Sequence, residues 1–239
     1  MTTQVIDTLP SKNVFRMTFD ILTFRFTGED CAGFNYRHLL FGLFTSWLVG
    51  IGRSWHNPRV AEFQHWGLGS LGVVLGIALL IYLIAWPLRP QRWSFFTVLT
   101  FVSLTALPGA VFAVPYASGD VRALLLFILS VWRVGLLGVF ICRYSGLKPF
   151  SRFLSVWLPC GVTLIGLTLL NLQRATFAIM GRELPTPDNA SYELMILASL
   201  LSFWITVVLL LVYLVTAICA WLPPARSKVE ARVGEQVDQ

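Results

Sequence analysis

The chain has 239 residues, of which 56% are hydrophobic and only 13% are charged, and its formal net charge is +6. An ordinary soluble domain is about 25% charged, so this composition excludes that class and is typical of a protein with membrane-spanning helices. The basic residues flank apolar segments, where they act as topology signals and contact lipid headgroups, so the positive charge does not predict nucleic-acid binding.

The first apolar pattern in the chain lies in residues 13–27. Phe15, Phe19, Leu22 and Phe26 recur there at three- and four-residue spacing, with polar residues on the other faces. This spacing predicts an amphipathic helix, of the kind that lies on the membrane surface or packs beneath a helical bundle.

Six apolar segments follow, at residues 39–51, 67–86, 95–114, 123–142, 153–172 and 194–222. They predict an all-α fold, a polytopic transmembrane helical bundle of five or six spans over residues 39–222. Residues 1–38 then form a cytoplasmic or interfacial segment with the amphipathic surface helix, and residues 223–239 form a disordered polar tail. The count depends on the first segment, whose 13 residues span only about 20 Å of the roughly 30 Å of hydrocarbon.

The distribution of Lys and Arg favours six spans. If all six segments cross and both termini are cytoplasmic, twelve of these residues lie inside and five outside; with five crossings the split is nine against eight. Cytoplasmic loops carry an excess of positive charge, so the first arrangement is favoured. The short loops and arginine-rich flanks are compatible with a bacterial inner membrane.

Three small residues of the second segment predict close helix packing. Gly69, Gly72 and Gly76 fall on one helical stripe, and small residues let two helix backbones approach closely. The partner helix could belong to this chain or to another.

Arg133 lies inside the fourth segment, about 16 Å from each polar end. A charge at that depth costs roughly 2.5–3.5 kcal/mol on insertion scales, so the guanidinium should not face lipid. No Asp or Glu occurs between Asp120 and Glu183, so the fourth and fifth segments offer no carboxylate partner. Backbone carbonyls, hydroxyls, water, an anionic ligand or an acid on another subunit remain, and the named polar candidates are Asn171, Tyr82 and Tyr213. Arg133 either locks the bundle or serves a ligand.

The histidines form a second candidate site. His38, His56, Glu62 and His65 lie close together in sequence and are potential metal ligands. They can converge only if the first segment is re-entrant, because six spans put His38 on the opposite side of the membrane from the other three.

The sequence has no phosphate-binding loop, nucleophile elbow or zincin motif, so it predicts no catalytic residue and no cofactor. We expect a non-enzymatic subunit or scaffold of a membrane complex, held in the lipid bilayer and assembling with itself or with other membrane subunits. Two alternatives stay open: a small transporter or channel that uses Arg133 for an anion, and a membrane metalloenzyme that uses the histidine cluster.

Overall fold

The computed structural model describes residues 13–54, 66–109, 119–169 and 190–221. Within these ranges the chain is helical and contains no β-strand, as predicted. The helices are α1 (Val14–Leu22), α2 (Gly28–Ala32), α3 (Tyr36–Ser54), α4 (Leu68–Ala85), α5 (Phe95–Leu104), α6 (Gly119–Tyr144), α7 (Pro149–Leu169) and α8 (Ala190–Trp221), with a 3-10 turn at Trp86–Leu88.

Three helical stretches are long and apolar enough to cross a membrane. They are Leu68–Leu88, Phe127–Tyr144 and Leu200–Trp221, and the helical stretch Phe95–Gly109 is apolar but shorter. These stretches match the second, fourth, sixth and third apolar segments of the sequence. The membrane-helix class is therefore supported by three candidate spans; α3 contains the first segment, and α7 contains residues 153–169 of the fifth.

The junction between α3 and α4 depends on a glycine. Gly67, directly before α4, has a φ of +70°, a conformation that favours glycine. A Cβ at this position would also lie 2.6 Å from the carbonyl oxygen of Trp47 on α3. Beside it, the indole nitrogen of Trp47 donates to the carbonyl of Trp66 at 2.6 Å. The start of α4 is thus held directly against α3.

The core lies around α5, whose side chains from Thr97 to Leu104 are all buried. Helices α3 and α4 pack on α5, and α7 packs on α6, α4 and α8. A smaller apolar cluster joins the 3-10 turn to α7 and α8, and its buried members are Leu88, Leu147, Leu154, Leu158, Tyr213 and Ala217.

Helix α1 is shorter than the predicted helix over residues 13–27. It ends at Leu22, and the next turn brings Phe24 into the left-handed region with a φ of +61°. Phe26 therefore lies beyond the helix. Its side chain is fully buried, with its ring 6.0 Å from the ring of Phe101 on α5. The spacing of apolar residues could not predict this break, because it does not reveal that Phe24 adopts a left-handed backbone conformation.

The buried face of α1 also differs from the predicted apolar face. Met17 and Ile21 are buried in the main core. Phe15 and Phe19, which the spacing placed on the apolar side, are 70% and 59% exposed. Residues of α1 and α2 thus pack into the core of the bundle, while the exposed ring of Phe15 lies at its edge, 5.1 Å from the ring of Phe41 on α3.

Candidate functional site

Arg133 lines a cavity between four helices. It lies about 21 Å and about 16 Å from the two ends of α6, within the candidate span Phe127–Tyr144. The cavity measures about 420 Å³. Its walls come from α4, from the C-terminal end of α5, from α6 and from α7. The lining residues are Ile77, Leu80, Ile81, Phe101, Val102, Thr105, Ser130, Arg133, Val134, Leu137, Pro159, Cys160, Thr163 and Leu164.

Two of the hydroxyl groups in the lining already donate their protons to their own helices. The Thr105 hydroxyl donates to the carbonyl of Val102 at 2.9 Å, and the Thr163 hydroxyl donates to the carbonyl of Pro159 at 2.6 Å. Each oxygen can still accept a hydrogen bond. The guanidinium of Arg133 has five N–H donors. Among the residues that line the cavity, it is the group that carries a positive charge.

No carboxylate or hydrogen-bond acceptor contacts Arg133 among the residues that the structure describes. Two of the polar partners expected from the sequence lie elsewhere: Tyr213 donates to the carbonyl of Ile84 at 2.9 Å, and the ring of Tyr82 packs on Phe95. Neither tyrosine lines the cavity. Asn171 lies outside the described residues.

The side chains of α6 change from partly exposed to buried along the helix. The buried side chains of α6 are Leu136, Leu137, Phe140, Ile141 and Tyr144. Before them, Ser130 and Val134 line the cavity and are also exposed, with Val134 at 42%. The C-terminal half of α6 is thus packed against the bundle, and the cavity reaches the outer surface at the depth of Arg133.

A stack of aromatic rings extends from Phe101, which lines the cavity, to the C-terminal end of α6. The rings of Phe101 and Phe140 stack at 4.1 Å, and Phe140 stacks on Tyr144 at 5.3 Å. The hydroxyl of Tyr144 and that of Thr97 lie 3.3 Å apart. The ring of Phe26 from the N-terminal segment lies 6.0 Å from the ring of Phe101, tilted by 51°.

Arg143, near the same end of α6, is anchored to the N-terminal segment. Its Nη1 donates to the carbonyl of Phe24 at 2.9 Å and to the carbonyl of Phe26. Its guanidinium also lies 5.3 Å from the centre of the Phe26 ring. A Cβ at Gly28 would overlap the carbonyl oxygen of Arg143, so the start of α2 rests directly on the end of α6. Sequence reasoning missed this role, since the contact joins residues 117 positions apart.

The predicted glycine stripe of α4 divides between two faces. Gly69 is buried within the bundle. A Cβ at Gly72 or at Gly76 would have no neighbour within 4 Å among the described residues. The pair with GxxxG spacing therefore faces outwards.

His38 is buried, with 2% of its surface exposed. Its Nδ1 lies 2.8 Å from the Oδ1 of Asn35 at the start of α3. The other three proposed ligands, His56, Glu62 and His65, lie outside the described residues. Within the described ranges no group of three or more His, Cys, Asp or Glu is placed to hold a metal ion, and the four-residue metal site stays a prediction.

The sequence signalled Arg133 but not the groups around it. Ser130 lies one helical turn before it and so shares its face, which the spacing could have indicated. Cys160 and Thr163 come from α7, and only the packing of α7 against α6 places them here.

Comparison with known proteins gives no matching family model, no matching curated protein and no matching solved structure.

Proposed function

We propose that this chain is a multi-pass membrane protein that binds an anion at Arg133 and acts as a small transporter or channel. The observation that supports this is a guanidinium that lines a cavity of about 420 Å³ with no carboxylate beside it among the described residues. Small-molecule sites typically measure about 300–1,000 Å³ and combine apolar walls with a few polar groups. A buried charge is costly unless it is paired, and a bound anion would provide the pair.

The proposal includes six spans with both termini in the cytoplasm of a bacterium, and α1 at the membrane surface. Helix α3 has 19 residues and is therefore about 28 Å long, close to the roughly 30 Å of hydrocarbon. The distribution of Lys and Arg supports the same arrangement. A single cysteine at position 57, in a variant without other cysteines, tests it with an impermeant thiol reagent on intact cells. Labelling is expected, and protection until the membrane is opened would contradict six spans.

Anion flux tests the function. Proteoliposomes with the wild-type chain should release one or more anions from a panel of chloride, phosphate, acetate and decanoate faster than protein-free liposomes. Arg133→Leu should reduce that flux at least tenfold, because the guanidinium is the positive charge of the cavity lining. Arg92→Gln, a change at an exposed arginine outside the cavity, is the control. Equal flux through wild-type and Arg133→Leu proteins would contradict the proposal.

The second candidate is the non-enzymatic subunit or scaffold, a homo-oligomer or a subunit of a larger membrane complex. The outward-facing pair Gly72 and Gly76 favours it, because exposed small residues allow a helix of another chain to approach α4. Gly72→Leu combined with Gly76→Leu should lower the oligomeric mass in detergent, measured by light scattering. Gly138→Leu is a matched control, since a Cβ there also has no neighbour within 4 Å among the described residues. A mass that is unchanged by the double substitution would count against the scaffold.

A further inference from the structure

The lining of the Arg133 cavity points to the chemical class of the anion. Most of the lining side chains are aliphatic or aromatic, and they come from all four wall-forming parts of the bundle. A small hydrated anion entering this space would lose its water shell against apolar walls, with one guanidinium to compensate. A ligand that carries its own apolar body would instead bury that body favourably.

The position of the opening points to the route of entry. Ser130 and Val134 belong both to the cavity lining and to the exposed surface of α6. Their neighbours Phe127, Ile128 and Val131 are exposed as well, and all of them lie in or beside the candidate span. At this depth the surrounding medium is hydrocarbon. A molecule dissolved in the bilayer can therefore reach Arg133 sideways, past α6.

We propose that the cavity takes up an amphiphilic anion from the bilayer, a molecule with one carboxylate or phosphate head and an apolar chain. The head binds the Arg133 guanidinium, to which carboxylates and phosphates are matched in geometry. The chain lies along the aliphatic walls of α4 and α7. This inference rests on the proposed function, since it requires an anion at Arg133.

The chain contains a natural reporter for occupancy of this cavity. Cys160 is part of the lining and is half-buried, whereas Cys142 and Cys219 are exposed and Cys31 is buried. In a Cys142→Ser variant in lipid nanodiscs, the alkylation rates of Cys160 and Cys219 by N-ethylmaleimide can be followed separately by peptide mass spectrometry. Cys219 lies on the apolar helix α8, so it reports any change in the partitioning of the reagent into lipid.

Three compounds separate charge from apolar chain: decanoate has both, acetate has only the charge, and decanol has only the chain. We expect decanoate to slow alkylation of Cys160 at least fivefold while Cys219 is unaffected. Acetate and decanol at the same concentration should leave the Cys160 rate within twofold of the ligand-free rate. In the Arg133→Gln protein, protection by decanoate should be lost.

The other outcomes divide the two proposals. If acetate protects Cys160 as well as decanoate does, and Arg133→Gln removes the protection, the amphiphile is wrong and the anion site stands. If decanol protects as well as decanoate, or if no compound protects, the amphiphile is wrong, and the dependence of anion flux on Arg133 decides separately whether the anion site stands. The comparison of decanoate with decanol uses the natural arginine, so it holds even where Arg133→Gln does not fold. Comparing decanoate with decyl phosphate, which has a chain of the same length, then distinguishes a carboxylate head from a phosphate head.

Discussion

Arg133 and Arg143 are both on α6, about 15 Å apart along the helix, and their surroundings are opposite. Arg143 donates to two backbone carbonyls and contacts the ring of Phe26. Arg133 lines a cavity and has no such acceptor among the described residues. The difference follows from the backbone nearby. Phe24 and Phe26 lie outside any helix, so their carbonyls are available, whereas regular helices use their carbonyls internally. Free carbonyls thus anchor Arg143 to the N-terminal segment, whereas Arg133 has no such anchor within the described residues.

The largest expected effect lies on the packed side of this comparison. Phe26→Ala removes a fully buried ring between α5 and Arg143, and such truncations lower the free energy of unfolding by about 3–5 kcal/mol. Val134→Ala on the cavity side removes a partly exposed side chain and should cost less than about 1 kcal/mol. Reversible unfolding in SDS, followed by tryptophan fluorescence, measures both. If the two substitutions lowered the free energy of unfolding equally, the contrast between a packed and an open half of α6 would be contradicted.

Arg143→Gln should be the next largest change. It removes the charge-assisted donation to the carbonyls of Phe24 and Phe26 and should lower the free energy of unfolding by about 2–3 kcal/mol. Arg92→Gln, at an exposed arginine between α4 and α5, should change it by less than about 0.5 kcal/mol. The same unfolding assay applies. A loss at Arg143 no larger than at Arg92 would mean that the N-terminal segment does not depend on this anchor.

Arg133→Leu should act in the opposite direction. The substitution removes a charge that insertion scales price at roughly 2.5–3.5 kcal/mol, and it breaks no hydrogen bond within the described residues. We therefore expect unfolding stability in detergent to be unchanged or to rise by up to about 2 kcal/mol, while anion flux is lost. A decrease of 2 kcal/mol or more would identify Arg133 as a structural lock.

The smallest effect is a pH dependence on the packed side. Burial, together with the neighbouring Asp30, raises the pKa of the Cys31 thiol well above its ordinary value, and Arg143 opposes this shift in part. The folded chain then keeps a proton that the unfolded chain loses above about pH 9, so stability is complete below that pH and declines above it. The decline is at most about 1.4 kcal/mol per pH unit. Unfolding measured between pH 8 and 10 should show this slope in the wild type and a flatter profile in Cys31→Ala. Identical profiles would mean that Cys31 ionises freely in the folded protein.

Much of the fold could be predicted from the sequence because long apolar runs have few alternatives in a membrane. Helices α4, α6 and α8 cover the second, fourth and sixth apolar segments. The face that each helix buries could not be predicted in the same way. Helix α4 is apolar on all sides, so periodicity cannot tell that Gly69 faces inwards while Gly72 and Gly76 face outwards.

The candidate site shows the same limit. Arg133 could be identified from the sequence because a charge inside an apolar segment costs free energy in the membrane, whichever residues surround it. The cavity lies beside the part of α6 before Leu136, where the described residues are partly exposed rather than buried, and no local pattern encodes that point. The turn after α1 is held by Arg143, more than a hundred residues later in the chain, and local reasoning could not find that contact either.

The anchor between Arg143 and the N-terminal segment also sets an order of events during synthesis. The carbonyl of Phe26 and its partner Arg143 are 117 residues apart, and translation adds about 5–20 residues per second. Arg143 therefore follows Phe26 by roughly 6–23 seconds, whereas Phe101 on α5, against which Phe26 packs, is made earlier. During that interval the carbonyls of Phe24 and Phe26 lack the guanidinium that holds them in the folded protein. The turn that contains Phe24 and Phe26 thus gains its last anchor only after α6 has been made.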